Sequence, residues 1–208
     1  MIPSSLTSEN ILNLAQNTIN KESQVVGNLS SQLGPSFVEA VHLMLECSGH
    51  VLVAGAGTSN PVGARFAHLL SCCGTPALFI HPGDSQHGLS GAVTDRDILF
   101  AISKGGETTE VNHLARVAIK RGAKLICLTE NPVSTLSKMS DVVLVFQAPP
   151  DSDPYGMIAT GSSLLNSALC DAFCTVLLQL RGYTKEKFGE THPGGAVGLK
   201  LAVEENTK

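Results

Sequence analysis

Five short apolar segments, separated by segments with helical spacing, constrain the fold of this chain more than any other feature of its sequence. Each has the length of a buried strand, and most of the intervening segments repeat apolar residues at three- and four-residue intervals. Strands that alternate with helices pair in parallel, and helices then cover both faces of the sheet. The sequence therefore predicts an α/β fold, a three-layer αβα sandwich of the flavodoxin-like type, with strands at Val51–Ala54, Pro76–Ile80, Asp97–Ile102, Lys124–Thr129 and Asp141–Phe146.

Three further helices flank this alternation. The first carries its apolar residues near one face, with Thr7 as its predicted N-cap. The last has an apolar stripe wide enough for the core, which leaves Leu177 and Leu178 for a subunit contact. The predicted helices are Thr7–Leu33, with Ile11, Leu14, Ala15, Ile19, Val26 and Leu29 on its face, then Ser36–Cys47 and Gly161–Leu180.

The length of 208 residues fits one domain over 1–208, with N-terminal helices in 1–48, the sheet and its helices in 49–183, and a C-terminal segment in 184–208. A net charge of −4 with 14 Lys and Arg argues against broad nucleic-acid contact. The start Met1–Ser5 is polar and apolar runs stay near strand length, so we expect neither a membrane span nor a secretory signal. These features predict a cytoplasmic protein.

The six cysteines include no Cys-x-x-Cys pair. Metal clusters need correctly spaced thiolates, so no metal site is predicted. Most of the cysteines lie in apolar strand or helix patterns, and we expect reduced, buried thiols at Cys72, Cys73, Cys127, Cys170 and Cys174.

Two loops rich in Gly, Ser and Thr follow predicted strands. Ile102–Glu110 joins a strand to a helix start, where unpaired N–H groups and the helix dipole favour a phosphate. An ordinary βα loop is the alternative interpretation. In His50–Ser59, Gly55-x-Gly57 could indicate a dinucleotide site, but Asn60 occupies the third glycine position and no acidic residue follows at the ribose-binding distance. One phosphate on a small sugar suits two such loops better.

Two segments contain histidines that could transfer protons. His81 and His87 follow the second strand, at the sheet edge where ligands of open α/β sheets bind, and His192 lies near the C-terminus. The alternative for His81 is a hydrogen bond within the turn that Pro82 and Gly83 fix. The other histidines are interpreted as structural: His42, His50, His68 and His113.

Taken together, these segments resemble the sugar isomerase (SIS) domain family, specifically its arabinose 5-phosphate isomerase branch. The resemblance covers nearly the whole chain and implies a homotetrameric five-stranded α/β sandwich that interconverts an aldose phosphate and a ketose phosphate through an enediol, without a cofactor. It rests on Gly55–Ser59, Gly74–Pro76, His81–Gly88, Ala101–Glu110, Arg181–Tyr183 and His192–Gly198.

The resemblance also implies roles for single residues. His192 is the base, Glu110 the acidic catalytic or hydroxyl-binding group, and His87 a second active-site histidine. The two loops bind the phosphate, and His81 and Asp151 are further candidate site residues. The implied phosphate-binding residues are Gly57, Thr58, Ser59, Ser103, Lys104, Gly106 and Thr108.

Several positions depart from the branch. Thr58 replaces a lysine, Gly105 replaces a repeated serine, Asp151 replaces a glutamate, and the CBS pair that often follows is expected to be missing. We hypothesise that the lost cation has moved to Lys104, with a solvated surface lysine as the alternative. For the whole chain, a non-catalytic sugar-phosphate sensor and a hexose phosphate isomerase remain alternatives.

Overall fold

A computed structural model describes residues 7–205, so the polar segment Met1–Ser5 lies outside the described residues. All five predicted strands form, within a few residues of the predicted bounds. They are β1 (Val51–Gly55), β2 (Ala77–Phe79), β3 (Ile98–Ile102), β4 (Lys124–Thr129) and β5 (Val142–Val145). The helices are α1 (Ser8–Leu29), α2 (Pro35–Glu46), α3 (Ser59–Cys72), α4 (Pro82–Ser85), α5 (Thr109–Lys120), α6 (Thr135–Met139), α7 (Gly161–Leu180), α8 (Lys185–Thr191) and α9 (Gly195–Glu205).

The strands pair in parallel in the order β2-β1-β3-β4-β5, which confirms the predicted sheet. Successive side chains of a strand point to opposite faces, so each strand supplies two cores. Val53 and Phe100 belong to the core under α2, α3 and α7, whereas Ala54 and Leu99 belong to the core under α5 and α6. Because both faces are covered, the central strands are apolar throughout rather than alternating.

Three aromatic rings join the sheet to its first helical layer. Phe100 of β3 meets Phe66 of α3 edge-on at 5.0 Å between centroids and Phe173 of α7 at 5.8 Å. Such edge-to-face pairs stabilise beyond their buried area. These contacts fix α3 and α7 side by side on the sheet, and both helices begin at the edge where the candidate site lies.

The first helix differs from its prediction in two ways. Thr7 caps α1 as expected, its hydroxyl accepting a hydrogen bond from the backbone N–H of Asn10. The helix ends at Leu29 and continues only as a short 3-10 turn, because Leu33 is extended before Gly34 and the start of α2. The buried face runs through Val25 rather than Val26. Three predicted face residues are more than half exposed in this single chain: Ile11, Leu14 and Ile19.

The long helix α7 has the predicted bounds, but Leu177 is fully buried in the core, so its expected subunit contact is wrong. Leu178 is partly buried. By length and composition alone α7 could also cross a membrane, so the expectation of strand-length apolar runs does not hold for it. Its packing against α1, α2 and α3 accounts for its apolar character as that of a core helix.

All six cysteines lie within residues 7–205 and are free thiols, as predicted. Cys127, Cys170 and Cys174 are buried, and burial raises the pKa of each thiol. Cys72 and Cys73 are only partly buried, which corrects the expectation of full burial. They lie at the C-terminal end of α3, where the helix runs out of the core.

Two of the sequence motifs, Gly74–Pro76 and Arg181–Tyr183, have a structural role and pack on each other. The Arg181 guanidinium donates to the hydroxyl of Thr75 at 3.0 Å and to the carbonyl of Met44 at 2.7 Å. The Tyr183 ring lies directly against Gly74, where a side chain would collide with it. Together they fasten the end of α7 to the turn between α3 and β2.

Candidate functional site

The strand order places the two Gly/Ser/Thr loops next to each other. After β1 the chain runs outward to the edge strand β2 and then returns to β3 on the other side of β1. Such a switch point opens a crevice at the carboxyl ends of the strands, where open α/β sheets bind ligands. The loop 56–58 after β1 and the loop 103–108 after β3 form the two sides of this crevice.

The β1 loop turns sharply into α3. Gly57 adopts φ +56°, in the left-handed region that favours glycine, and the Ser59 N–H donates to the carbonyl of Ala56 at 3.1 Å. Thr58 stands at the N-cap position without using its side chain as a cap. Thr58 is exposed and Ser59 is partly exposed, so both residues are accessible to a ligand.

The β3 loop holds its two hydroxyls together. The oxygens of Ser103 and Thr108 lie 3.0 Å apart in a hydrogen bond, with Ser103 only 4% exposed. Thr108 is the N-cap residue of α5 but makes no side-chain cap bond. The first N–H groups of a helix have no partner within it, so the start of α5 offers donors and its dipole to an anion.

The turn of this loop is held from behind. Gly106 has φ +67° and packs so closely on Ser134 that any side chain would collide with it. Its carbonyl accepts hydrogen bonds from the Asn112 amide at 3.2 Å and from the Leu136 N–H at 3.1 Å. The loop is therefore preorganised by α5 and α6 before any ligand arrives.

A small cleft of about 30 Å³ lies between the loops and the start of α7. It is roughly the size of one water molecule, so a sugar would extend from it toward solvent. Its polar lining consists of hydroxyls, one amide and one ammonium group. These belong to Thr58, Ser59, Lys104, Ser162, Ser163 and Asn166.

Lys104 is exposed to solvent, as the alternative interpretation has it, but it is not a free cation. Its Nζ lies 2.8 Å from Oδ2 of Asp153 and 3.8 Å from Oε1 of Glu130, with 43% of its side chain exposed. The hypothesis that Lys104 supplies a phosphate cation must therefore account for an ammonium group that already has a carboxylate partner.

Asp153 is a buried carboxylate with several donors. Besides Lys104, it accepts hydrogen bonds from the backbone N–H of Ser162 at 3.0 Å and from the Ser162 hydroxyl at 2.6 Å, and its side chain is 2% exposed. Burial, the largest single effect, raises its pKa, but the bonds from Lys104 and Ser162 together hold that pKa below the usual value. At Glu130 desolvation prevails and raises the pKa, despite the opposing charge of Lys104.

His192 lies at the far end of α3 from the cleft. Its Nε2 is 3.5 Å from Sγ of Cys72, its ring stacks on Phe188 at 3.8 Å, and Nδ1 is 3.0 Å from the Phe188 carbonyl oxygen. The fourteen residues of α3 separate Cys72 from Ser59, which is about 20 Å at 1.5 Å per residue. The structure therefore does not bring His192 to the phosphate loops of its own chain.

The remaining candidates do not line the cleft. His81 caps the short helix α4, its Nδ1 accepting from the Gly83 N–H at 3.2 Å, which matches the alternative interpretation of a hydrogen bond in the turn. His87 and Glu110 are exposed, the latter in the first turn of α5. Asp151 is 74% exposed and pairs with Lys21 of α1 at 3.1 Å.

Sequence reasoning missed four residues that shape this site. Asp153, Glu130, Ser162 and Asn112 have no spacing motif that would connect them with the loops, because the contacts depend on how separate segments of the chain pack together. No local capping signal pointed to Asp153, because α7 begins only at Gly161 and its N-cap position is held by Thr160. Among residues 7–205, no group of three His, Cys, Asp or Glu side chains could hold a metal ion.

Comparison with known proteins identifies relatives with this fold. A protein of Yersinia pestis named arabinose 5-phosphate isomerase KdsD is 37% identical over 182 residues, which are 88% of this chain and 56% of that protein. The chain thus spans little more than half the length of this curated relative.

Two solved structures superpose closely. A Listeria monocytogenes protein, named as a candidate sugar-phosphate isomerase, has a TM-score of 0.88 at 34% identity, covering 91% of this chain and 100% of its own. The protein c3406 of Escherichia coli CFT073, solved in complex with arabinose 5-phosphate, has a TM-score of 0.85 at 26% identity, covering 90% of this chain and 100% of its own. The family model of the SIS domain matches residues 44–176, well over half of the sequence, and the chain therefore belongs to the SIS domain family.

Proposed function

We propose that this chain is a sugar-phosphate aldose–ketose isomerase that interconverts ribulose 5-phosphate and arabinose 5-phosphate or a close analogue. The observation that carries the proposal is the meeting of the two hydroxyl-rich loops at the β1–β3 switch point, with the starts of α3 and α5 beside them. The relative named arabinose 5-phosphate isomerase supports the choice of substrate.

In this proposal the phosphate lies between the two loops. The hydroxyls of Thr58, Ser59, Ser103 and Thr108 and the first N–H groups of α5 bind its oxygens, while Gly57 and Gly106 set the loop turns. Binding the phosphate this way holds the reacting carbons at a fixed distance from the loops. That binding energy can then be used to orient the carbonyl and its neighbouring hydroxyl for proton transfer.

The chemistry is a proton transfer through an enediol. A base removes a proton from the carbon next to the carbonyl, and the proton returns to the former carbonyl carbon while the two oxygens exchange protons. We assign the base role to His192, and the roles of hydroxyl partner and second histidine to Glu110 and His87. This reaction uses no redox cofactor and no metal ion.

The position of His192 then requires a second subunit. Because about 20 Å of helix separates it from the loops of its own chain, His192 serves the site of a neighbouring copy. Apolar side chains exposed on α1 and α9 provide surface for such a contact, among them Ile11, Leu14, Ile19, Leu199 and Val203. We infer a homotetramer, and a cytoplasmic protein that uses neither nucleic acid nor membrane as a partner.

A non-catalytic sugar-phosphate sensor is the second candidate. Two observations favour it: Lys104 is already paired, and His192 is remote from the cleft within one chain. The purified protein, incubated with ribulose 5-phosphate and a panel of pentose and hexose phosphates, separates the candidates. Aldose formation supports the isomerase and its sugar length, whereas tight binding without turnover supports the sensor.

A further inference from the structure

Lys104 is the charged residue among those lining the cleft, as far as residues 7–205 are described. A free ammonium group at this place would attract every anion, including a second phosphate or a carboxylate on the sugar. Its charge is cancelled by Asp153, whose Oδ2 lies 2.8 Å from Nζ. With its side chain 2% exposed, the Asp153 carboxylate is held inside the protein and cannot turn to solvent.

The same carboxylate occupies the N-terminal end of α7. Its oxygens accept the N–H and the hydroxyl of Ser162, so a protein carboxylate already takes one of the first N–H groups of this helix and places a negative charge at its positive end. By contrast, Thr58 and Thr108 make no side-chain cap bond at the starts of α3 and α5. The starts of α3 and α5 are therefore open to a phosphate, whereas the positive charge at the start of α7 is neutralised by Asp153.

Glu130 adds to this balance. Its Oε1 lies 3.8 Å from Nζ of Lys104, and it contributes one negative charge or none, depending on its protonation. In neither state does the cluster of Lys104, Asp153 and Glu130 carry net positive charge. The cluster thus offers no electrostatic attraction to an anionic group beyond the first phosphate.

We propose that Asp153 is a positioning residue that sets the charge selectivity of the cleft: by holding Lys104 it restricts the site to ligands with a single phosphate. The proposal rests on the proposed function for the location of the phosphate. The substrate class it defines is a sugar monophosphate whose remaining groups are neutral hydroxyls and a carbonyl. Sugar bisphosphates and sugar acids carrying a phosphate are disfavoured.

Titration calorimetry with inorganic phosphate and pyrophosphate tests this selectivity without assuming a sugar. Asp153→Asn removes the nearer carboxylate partner of Lys104 and raises the charge of the cluster by one. We therefore expect the ratio of pyrophosphate to phosphate affinity to rise about fivefold, as for one unit charge roughly 8 Å from a partly solvated anion. Lys104→Gln, which leaves the carboxylate unneutralised, should lower the ratio. The double variant, with the charge sum of the wild type, should restore it.

Asp171→Asn is the matched control, because it also removes the carboxylate partner of a cation, Arg65, in a pair that joins α3 and α7 and does not line the cleft. A purely structural role for Asp153 would weaken both ligands in Asp153→Asn and leave the ratio unchanged, which overturns the proposal. A wild-type protein that binds neither ion also overturns it. If the wild type binds phosphate but isomerises no sugar, the proposed function fails while the selectivity test stands.

Discussion

Replacing Ser103 by alanine tests the phosphate site at its best-defined hydroxyl. The substitution removes one hydrogen bond to a charged phosphate, worth about 1.5–3 kcal/mol, which predicts a loss of affinity of about 10- to 150-fold for arabinose 5-phosphate. The fold should survive, because the backbone bonds of Ser103 to Leu128 and Gly106 do not involve its side chain. Loss of the 3.0 Å bond to Thr108 should cost about 1 kcal/mol of folding free energy, a fall in Tm of a few degrees.

The assay is titration calorimetry, with thermal unfolding on the same samples. Ser140→Ala is the control, because that partly buried hydroxyl also makes one hydrogen bond, to the carbonyl of Leu136 at 2.8 Å, at the end of α6. We expect the control to lose a similar amount of stability and no affinity. An affinity within threefold of wild type in Ser103→Ala would refute the placement of the phosphate between the two loops.

The buried carboxylate, the catalytic histidine and the assembly supply the remaining predictions. Asp153→Ala should lower the free energy of unfolding, measured in urea, by about 3–5 kcal/mol. This value counts the hydrogen bonds from Ser162 in full and discounts the ion pair with the half-exposed Lys104. A loss under about 1 kcal/mol would contradict the hydrogen-bond network around Asp153. Because the folded pKa of Asp153 is lowered, its stabilisation is present above about pH 4 and lost as pH falls through the folded pKa, so wild type and Asp153→Asn should converge in stability only in acid. His192→Ala should reduce turnover by about 10²- to 10⁴-fold with assembly intact. Mixing this variant with weakly binding Ser103→Ala subunits should restore part of the activity. If His192→Ala alone retains more than half of the wild-type turnover, His192 has no part in the mechanism. Light scattering at micromolar concentration should give a tetramer, and a monomer mass would exclude a site shared between subunits.

The fold was predictable because its signals are local and repeated. Each strand is a short apolar run between helical segments, and their alternation determines the parallel sheet and the adjacency of the two loops. The cap at Thr7 and the bounds of α7 followed from the same kind of local pattern. The end of α1 was less accessible, since the extended Leu33 before Gly34 and Pro35 stops a helix whose apolar pattern continues.

The site was predictable only in part. The hydroxyls of Ser103 and Thr108 lie within one short motif, and their pairing is a local event. The pairing of Lys104 with Asp153 joins residues 49 positions apart, which no spacing within a motif records. The position of His192 depends on how α8 packs against the end of α3, and that packing is likewise a tertiary outcome. The charge balance at the cleft could therefore be worked out only from the structure.

The most direct test of the isomerase is proton exchange during turnover. Ribulose 5-phosphate is incubated with the wild-type protein in deuterium oxide and followed by proton NMR. The enediol mechanism predicts arabinose 5-phosphate that carries solvent deuterium at its second carbon, because the base that returns the proton exchanges with water. If no aldose forms and ribulose 5-phosphate keeps both protons on its first carbon while phosphate binding is retained, the chain is not an isomerase of this sugar.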